Sequence, residues 1–193
     1  MDAVPKERVE VATPEAGARV QGPSVARAPA RLVVRGGTPL EGEVVVHGSK
    51  NTVPKCMVAS LLVNEPSVLR NVSDIEDVRL VAEMIRTLGG DVRPIAEETI
   101  EITTSGVAAM HPDRLDAFTD KTRIPVLFCG PLLARFGEAI LPGLGGDRIG
   151  PRPVNFHLDA LRALGTAVEE RPYGLHLRTG GLRGAHIRLP FPS

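Results

Sequence analysis

Residues 53–63 read Val-Pro-Lys-Cys-Met-Val-Ala-Ser-Leu-Leu-Val. Within a helix spanning Lys50 to Val63, the residues Val53, Cys56, Met57, Val58, Leu61, Leu62 and Val63 leave almost no polar face. A helix that is apolar all round must be covered on all sides. A second stretch repeats the property with Ile124, Val126, Leu127, Phe128, Cys129, Leu132 and Leu133. Two such helices place helices inside and sheets outside. Pro125 and Pro131 complicate the second one, because proline inside a helix kinks or breaks it.

Working outward from these helices, periodicity predicts one order of elements twice. The first copy has strands over 31–34 and 43–47, the helix 50–63, a strand over 67–72, a helix over 76–88, and a strand pair over 91–95 and 99–103. A helix over 121–136, a strand over 138–141, a helix over 153–164 and a strand pair over 167–171 and 174–178 then follow. Landmarks recur at an offset of about 71 to 76 residues. Leu61-Leu62 answers to Leu132-Leu133, Leu88-Gly89 to Leu164-Gly165, and Ile100-Glu101-Ile102 to Leu175-His176-Leu177. The fold expected is α/β, built from βαβαββ units at about 40–105 and 106–181. A third unit begins at Leu182-Arg-Gly-Ala-His-Ile-Arg, whose Leu and Gly match those of Leu40-Glu-Gly-Glu-Val-Val-Val, and is incomplete within residues 182–193.

Composition narrows the function classes. Of 193 residues 42% are hydrophobic, enough for one core or slightly more. Lys+Arg and Asp+Glu both number 23, so no global field draws in nucleic acid or an anionic membrane, and affinity for phosphate must be local. With five Phe, one Tyr and no Trp, there is no aromatic platform for single-stranded bases. Cys56 and Cys129 lie in apolar helical stretches and are expected to be buried free thiols in a reducing compartment; no zinc-ligand spacing occurs. Residues 1–30 carry Glu7, Glu10 and Glu15 and have neither a signal-peptide run nor an acid-free transit pattern. They are expected to form a disordered leader on a cytoplasmic protein, and no segment is apolar enough to span a bilayer.

The segment Gly145-Gly-Asp-Arg-Ile-Gly-Pro-Arg-Pro-Val-Asn-Phe-His157 sets a carboxylate, Asp147, on a glycine-hinged loop five residues before Arg152. Pro153 fits the first turn of a helix, and Arg152 would then sit at the positive end of its dipole, where phosphate or carboxylate binds. From these residues alone, a flexible turn with a solvated arginine fits equally well. Lys50, at the start of the first helix, is poor for the helix dipole but can complete an anion site with the free N–H groups there; it can also be merely exposed. Arg123 heads an apolar helix and needs a partner, either a ligand phosphate or a structural carboxylate such as Asp120.

Gly48-Ser-Lys-Asn51, taken with Arg152-Pro-Val-Asn-Phe-His157 and the repeat, resembles the enolpyruvyl transferases, and among them the branch that uses UDP-N-acetylglucosamine in peptidoglycan synthesis. The resemblance runs from about Leu32 to Ser193 and includes Gly130-Pro-Leu-Leu-Ala-Arg-Phe-Gly137. It implies an inside-out α/β barrel, of which this chain holds the N-terminal part, with no cofactor and no metal. It also implies phosphoenolpyruvate and UDP-N-acetylglucosamine, or a related uridine nucleotide, as partners. The enolpyruvyl group would move to the sugar 3-hydroxyl with loss of phosphate. By the resemblance, Lys50, Asn51 and Arg152 contact phosphoenolpyruvate, Arg123 faces the nucleotide sugar, and Pro153, Val154, Asn155 and Phe156 lie along the uridine with His157 just behind. Asp147 stands where many members carry a loop cysteine that acts as proton donor and is the target of fosfomycin, while others carry Asp. An aspartic acid can donate that proton only if its pKa rises from about 4.

Members of this family are about twice as long, and their second domain supplies a catalytic base and further phosphate and uridine contacts. The chain therefore reads as an amino-terminal part that works with a separate C-terminal half, as a shortened transferase acting on another uridine nucleotide, or as a nucleotide-binding remnant without catalysis. Arg148, Pro151, Asn155 and Phe191 depart from the family's common choices.

Overall fold

The structure, a computed structural model, describes residues 33, 36–37, 39, 41–108, 111–114, 116–146 and 153–190. The chain divides into residues 1–43 and residues 44–193. The described residues of the first part carry no strand or helix, and the predicted leader and most of the predicted strand 31–34 lie outside the described residues.

The second part is built from two copies of one arrangement. In the first copy, helix α1 (Val53–Ala59) runs into a short 3-10 turn at Ser60–Leu62, and strand β1 (Ser67–Arg70), helix α2 (Glu76–Thr87) and strands β2 (Asp91–Ala96) and β3 (Thr99–Thr103) follow. In the second, a 3-10 turn at Ile124–Phe128 leads into α3 (Cys129–Phe136), then β4 (Glu138–Pro142), α4 (Asn155–Ala163), β5 (Ala167–Arg171) and β6 (Gly174–Arg178). Each copy forms its own antiparallel sheet, in the order β1-β3-β2 and β4-β6-β5. Pro94 is tolerated because β2 is an edge strand, and the register shifts beside it, between Pro94 and Ala96.

The repeated Leu-Gly landmarks mark how the second helix of each copy stops. Gly89 (φ 98°) and Gly165 (φ 94°) take the left-handed conformation that ends a helix without a Cβ penalty. Behind them the Gly90 N–H donates to the Ile85 carbonyl and the Thr166 N–H to the Leu161 carbonyl, both at 3.0 Å. The same turn of chain therefore closes both helices.

The interior is one cluster shared by both copies. Met57, Leu61, Val81, Met84, Ile85 and Ile102 from the first copy meet Phe128, Leu132, Leu133, Leu141 and Leu177 from the second. Arg135 ties the copies further, donating to the Leu61 carbonyl at 3.1 Å and to Asn64 Oδ1 at 2.9 Å. Buried Thr104 donates its hydroxyl to the Val63 carbonyl at 2.6 Å. Carbonyls that the end of a helix leaves unpaired are thus satisfied from elsewhere in the fold.

Several sequence expectations are corrected. The first helix begins at Val53, with Pro54 in its opening turn, and Cys56, Leu62 (58% exposed) and Val63 (43% exposed) face outward, so it is not covered all round. Residues 43–47 are not a strand: among the described residues none pairs with them, and Val44, Val45 and Val46 are exposed. A β-prone run without a ladder partner stays irregular, and the same holds for residues 182–188. The helix predicted over 121–136 is split, with the α-helical part starting at Cys129; Pro131 then falls in the first turn, where its missing N–H costs nothing. The helix predicted from Pro153 begins at Asn155, so Pro153 precedes it.

Candidate active site

The heads of the two leading helices open onto one cleft of 740 Å³. Lys50 and Asn51 line it from the turn before α1, and Lys121, Thr122, Arg123 and Ile124 from the corresponding turn before the second leading helix. Glu76 and Asp77 enter from the first turn of α2, and Gly146 also lines the cleft. Residues more than seventy positions apart thus meet because they occupy equivalent places in the two copies.

Charge in the cleft is mixed, with three cations facing two carboxylates. Lys50 Nζ lies 3.3 Å from Asp77 Oδ2, a pair in which the lysine is 68% and the carboxylate 29% exposed. Such a pair in solvent is worth little and can exchange readily for an incoming anion. Arg123 is half-buried. Among the described residues it makes no ion pair, and the structural bond to Asp120 weighed from the sequence does not form. A Cβ on Gly146 (φ 116°) would lie 3.2 Å from Arg123 Cγ, so the glycine loop packs on the arginine's aliphatic stem.

The loop that carries Gly146 is pinned to the turn before Arg123. The Asp120 N–H donates to the Gly143 carbonyl at 2.9 Å, and the Gly145 N–H to the Thr122 carbonyl at 3.1 Å. Asp147 and Arg152 lie outside the described residues. Val154 lines a second cleft, of 530 Å³, with Asp120, Leu144, Leu158 and Tyr173; Pro153 and Asn155 are exposed, and Phe156 is half-buried at the start of α4. The structure therefore brings together Lys50, Asn51 and Arg123, and sets Val154 in a neighbouring hollow. Sequence reasoning passed over Asp77, Glu76 and Lys121, whose only signal was acidic residues opening a predicted helix and a lysine two positions before Arg123. Among the described residues no group of His, Cys, Asp and Glu side chains could hold a metal ion, and no helix is long and apolar enough to cross a membrane.

A family model described as EPSP synthase (3-phosphoshikimate 1-carboxyvinyltransferase) matches residues 34–193. The chain belongs to the EPSP synthase family. Among relatives, the UDP-N-acetylglucosamine 1-carboxyvinyltransferase of Chlamydia abortus is 46% identical over 164 residues, covering 83% of this chain and 36% of that protein. The enzyme of the same name from Nocardia farcinica is 42% identical over 168 residues, covering 84% of this chain and 39% of its own. The chain thus spans little more than a third of the length of the curated relatives it matches. Among solved structures, the enolpyruvyl transferase NikO from Streptomyces tendae is similar, with a TM-score of 0.58 at 20% identity over 76% of this chain and 32% of that one. An EPSP synthase from Acinetobacter baumannii gives a TM-score of 0.57 at 19% identity, over 79% and 36%. At such identity these two speak to the fold, which is that of the EPSP synthase family.

Proposed function

We propose that this chain supplies one wall of an enolpyruvyl transferase site. The reaction moves the enolpyruvyl group of phosphoenolpyruvate to the 3-hydroxyl of UDP-N-acetylglucosamine, the first committed step of peptidoglycan synthesis. The acceptor O–H bond breaks as its oxygen bonds C2 of phosphoenolpyruvate, the C2–O bond to the phosphate group breaks, and inorganic phosphate leaves, the acceptor's proton being released with it. The observation that carries this reading is the meeting of Lys50, Asn51 and Arg123 in one cleft, at the heads of repeat-equivalent helices. The names of the curated relatives support the acceptor.

In this reading Lys50 and Asn51 hold phosphoenolpyruvate, and the Lys50–Asp77 pair opens as the anion arrives. Arg123 faces the nucleotide sugar, and Pro153 to Phe156 lie along the uridine. Asp147 donates the proton and Arg152 contacts the phosphate. Catalysis requires these groups to close against a second wall that excludes water, which a separate C-terminal half would provide.

Phosphate release from phosphoenolpyruvate and UDP-N-acetylglucosamine tests the proposal, with the chain alone and with a C-terminal half of a relative supplied. Release on addition of that half, lost in Lys50→Ala and Arg123→Ala, is expected. No release in either case overturns it. Binding of the nucleotide sugar without release favours a nucleotide-binding module, and release with a different uridine nucleotide in preference reassigns the acceptor.

A further inference from the structure

The two copies hold the turn before their leading helix by different means that reach the same end. In the second copy the work is done by backbone. Asp120 is left-handed (φ 57°), its turn is bonded to the loop that leaves β4, and a Cβ on Gly145 would lie 1.8 Å from the Asp120 carbonyl oxygen. Three residues after Asp120 stands Arg123.

In the first copy the loop that leaves β1 does the same with side chains. Asn71 is also left-handed (φ 57°), and its Oδ1 accepts the Gly48 N–H at 3.0 Å while its Nδ2 donates to the Val46 carbonyl at 3.3 Å. Ser73 Oγ donates to the Gly48 carbonyl at 2.7 Å. A Cβ on Gly48 would lie 1.9 Å from the Asn71 carbonyl oxygen, so only glycine permits this approach. Past Gly48, the Thr52 and Val53 N–H groups donate to the Ser49 carbonyl at 3.1 and 3.0 Å, and the Asn51 N–H to Ser49 Oγ at 3.2 Å. The turn bearing Lys50 and Asn51 therefore hangs from Gly48, and Gly48 hangs from Asn71 and Ser73.

We propose that Asn71, helped by Ser73, is a positioning residue for the anion held by Lys50 and Asn51, the counterpart for phosphoenolpyruvate of the backbone clamp that holds Arg123. This rests on the function proposed above. A lysine on a fixed turn reaches its anion with less conformational freedom to lose than one on a loose turn, and fixing the backbone beforehand raises affinity without adding a contact to the ligand. Asn71 would never touch the substrate. Its effect should be confined to the end of the cleft that its turn carries.

The test is to titrate phosphoenolpyruvate and UDP-N-acetylglucosamine separately into the full chain, following the backbone amide resonances of Asn51 and Arg123, for wild type, Asn71→Gly and Ser73→Ala. Asn71→Gly keeps the left-handed backbone and removes both side-chain bonds. It is expected to weaken phosphoenolpyruvate binding about tenfold, the effect of losing roughly one net hydrogen bond's worth of order twice over, and to leave the nucleotide sugar within about twofold. Ser73→Ala is expected to weaken phosphoenolpyruvate about threefold, and carries the test if Asn71→Gly fails to fold. Equal weakening of both ligands, or of neither, overturns the positioning role while leaving the proposed function in place. A wild-type chain that binds phosphoenolpyruvate neither alone nor with a C-terminal half supplied overturns both together.

Discussion

Cys56 and Cys129 both sit on leading helices, yet the structure separates their chemistry. Cys56 is exposed, whereas burial removes Cys129 from water and pushes its thiol up to about 12. Iodoacetamide at pH 8 should therefore add one carbamidomethyl group to the folded chain, at Cys56, and a second only in denaturant; intact mass and peptide mapping read the result. A related contrast applies to Asp147, proposed as the proton donor. A carboxylate is a far weaker nucleophile than a thiolate, so fosfomycin should leave no adduct there, and an adduct at Asp147 by intact mass would contradict this. On the second sheet, buried His176 bridges the Tyr173 hydroxyl at 3.1 Å and Glu138 Oε1 at 2.6 Å. The hydrogen bond from His176, and after it the one from Arg178, holds the Glu138 carboxyl below the usual range. A carboxyl whose pKa is lower folded than unfolded contributes stability that is complete above the unfolded value and is lost as pH falls through the folded one. Wild type should lose stability more steeply than Glu138→Gln below about pH 4, by under ~1 kcal/mol because the pair is partly solvated, in denaturant unfolding at pH 3 to 7.

At the scale of the element, the two split leading helices show what periodicity can and cannot decide. Leu132 and Leu133 are both almost wholly buried in the shared core, and Leu132→Ala should cost about 2–5 kcal/mol. Pro131→Ala should change stability by less than about 1 kcal/mol, since α3 starts at Cys129 and the proline occupies a turn with no intrahelical donor to lose; urea unfolding of both variants checks the contrast. The strand pairs 91–96/99–103 and 167–171/174–178 were legible because alternation, a short turn and a partner all lie within one local stretch. The valines at 44–46 are no less β-prone, but a strand is a relation between two segments, and the sequence does not say whether the other one is present. The candidate site residues divide along the same line. Lys50 and Asn51 stand in a motif and Arg123 at the head of an apolar stretch, while Asp77 on α2 and Asn71 and Ser73 on the β1–α2 loop meet the turn before α1 through approaches that no local pattern encodes.

At the scale of the molecule, Val44, Val45, Val46, Leu62, Val63, Leu182, Ile187 and Leu189 are among the large apolar side chains that the described fold leaves in water. Exposed apolar residues in such number favour association. The chain should bind a hydrophobic dye and sediment with concentration dependence, and both effects should fall when a C-terminal half is supplied; a dye-silent monomer at all concentrations would show that these residues are not a shared surface. The strand orders β1-β3-β2 and β4-β6-β5 place the last strand of each copy at the centre of its sheet. During synthesis on a ribosome, β1 and β2 have no sheet partner until residues 99–103 emerge, and β4 and β5 none until residues 174–178 do. Each copy therefore acquires its sheet in a single step when its closing strand appears, so that translation releases the molecule in two discrete instalments.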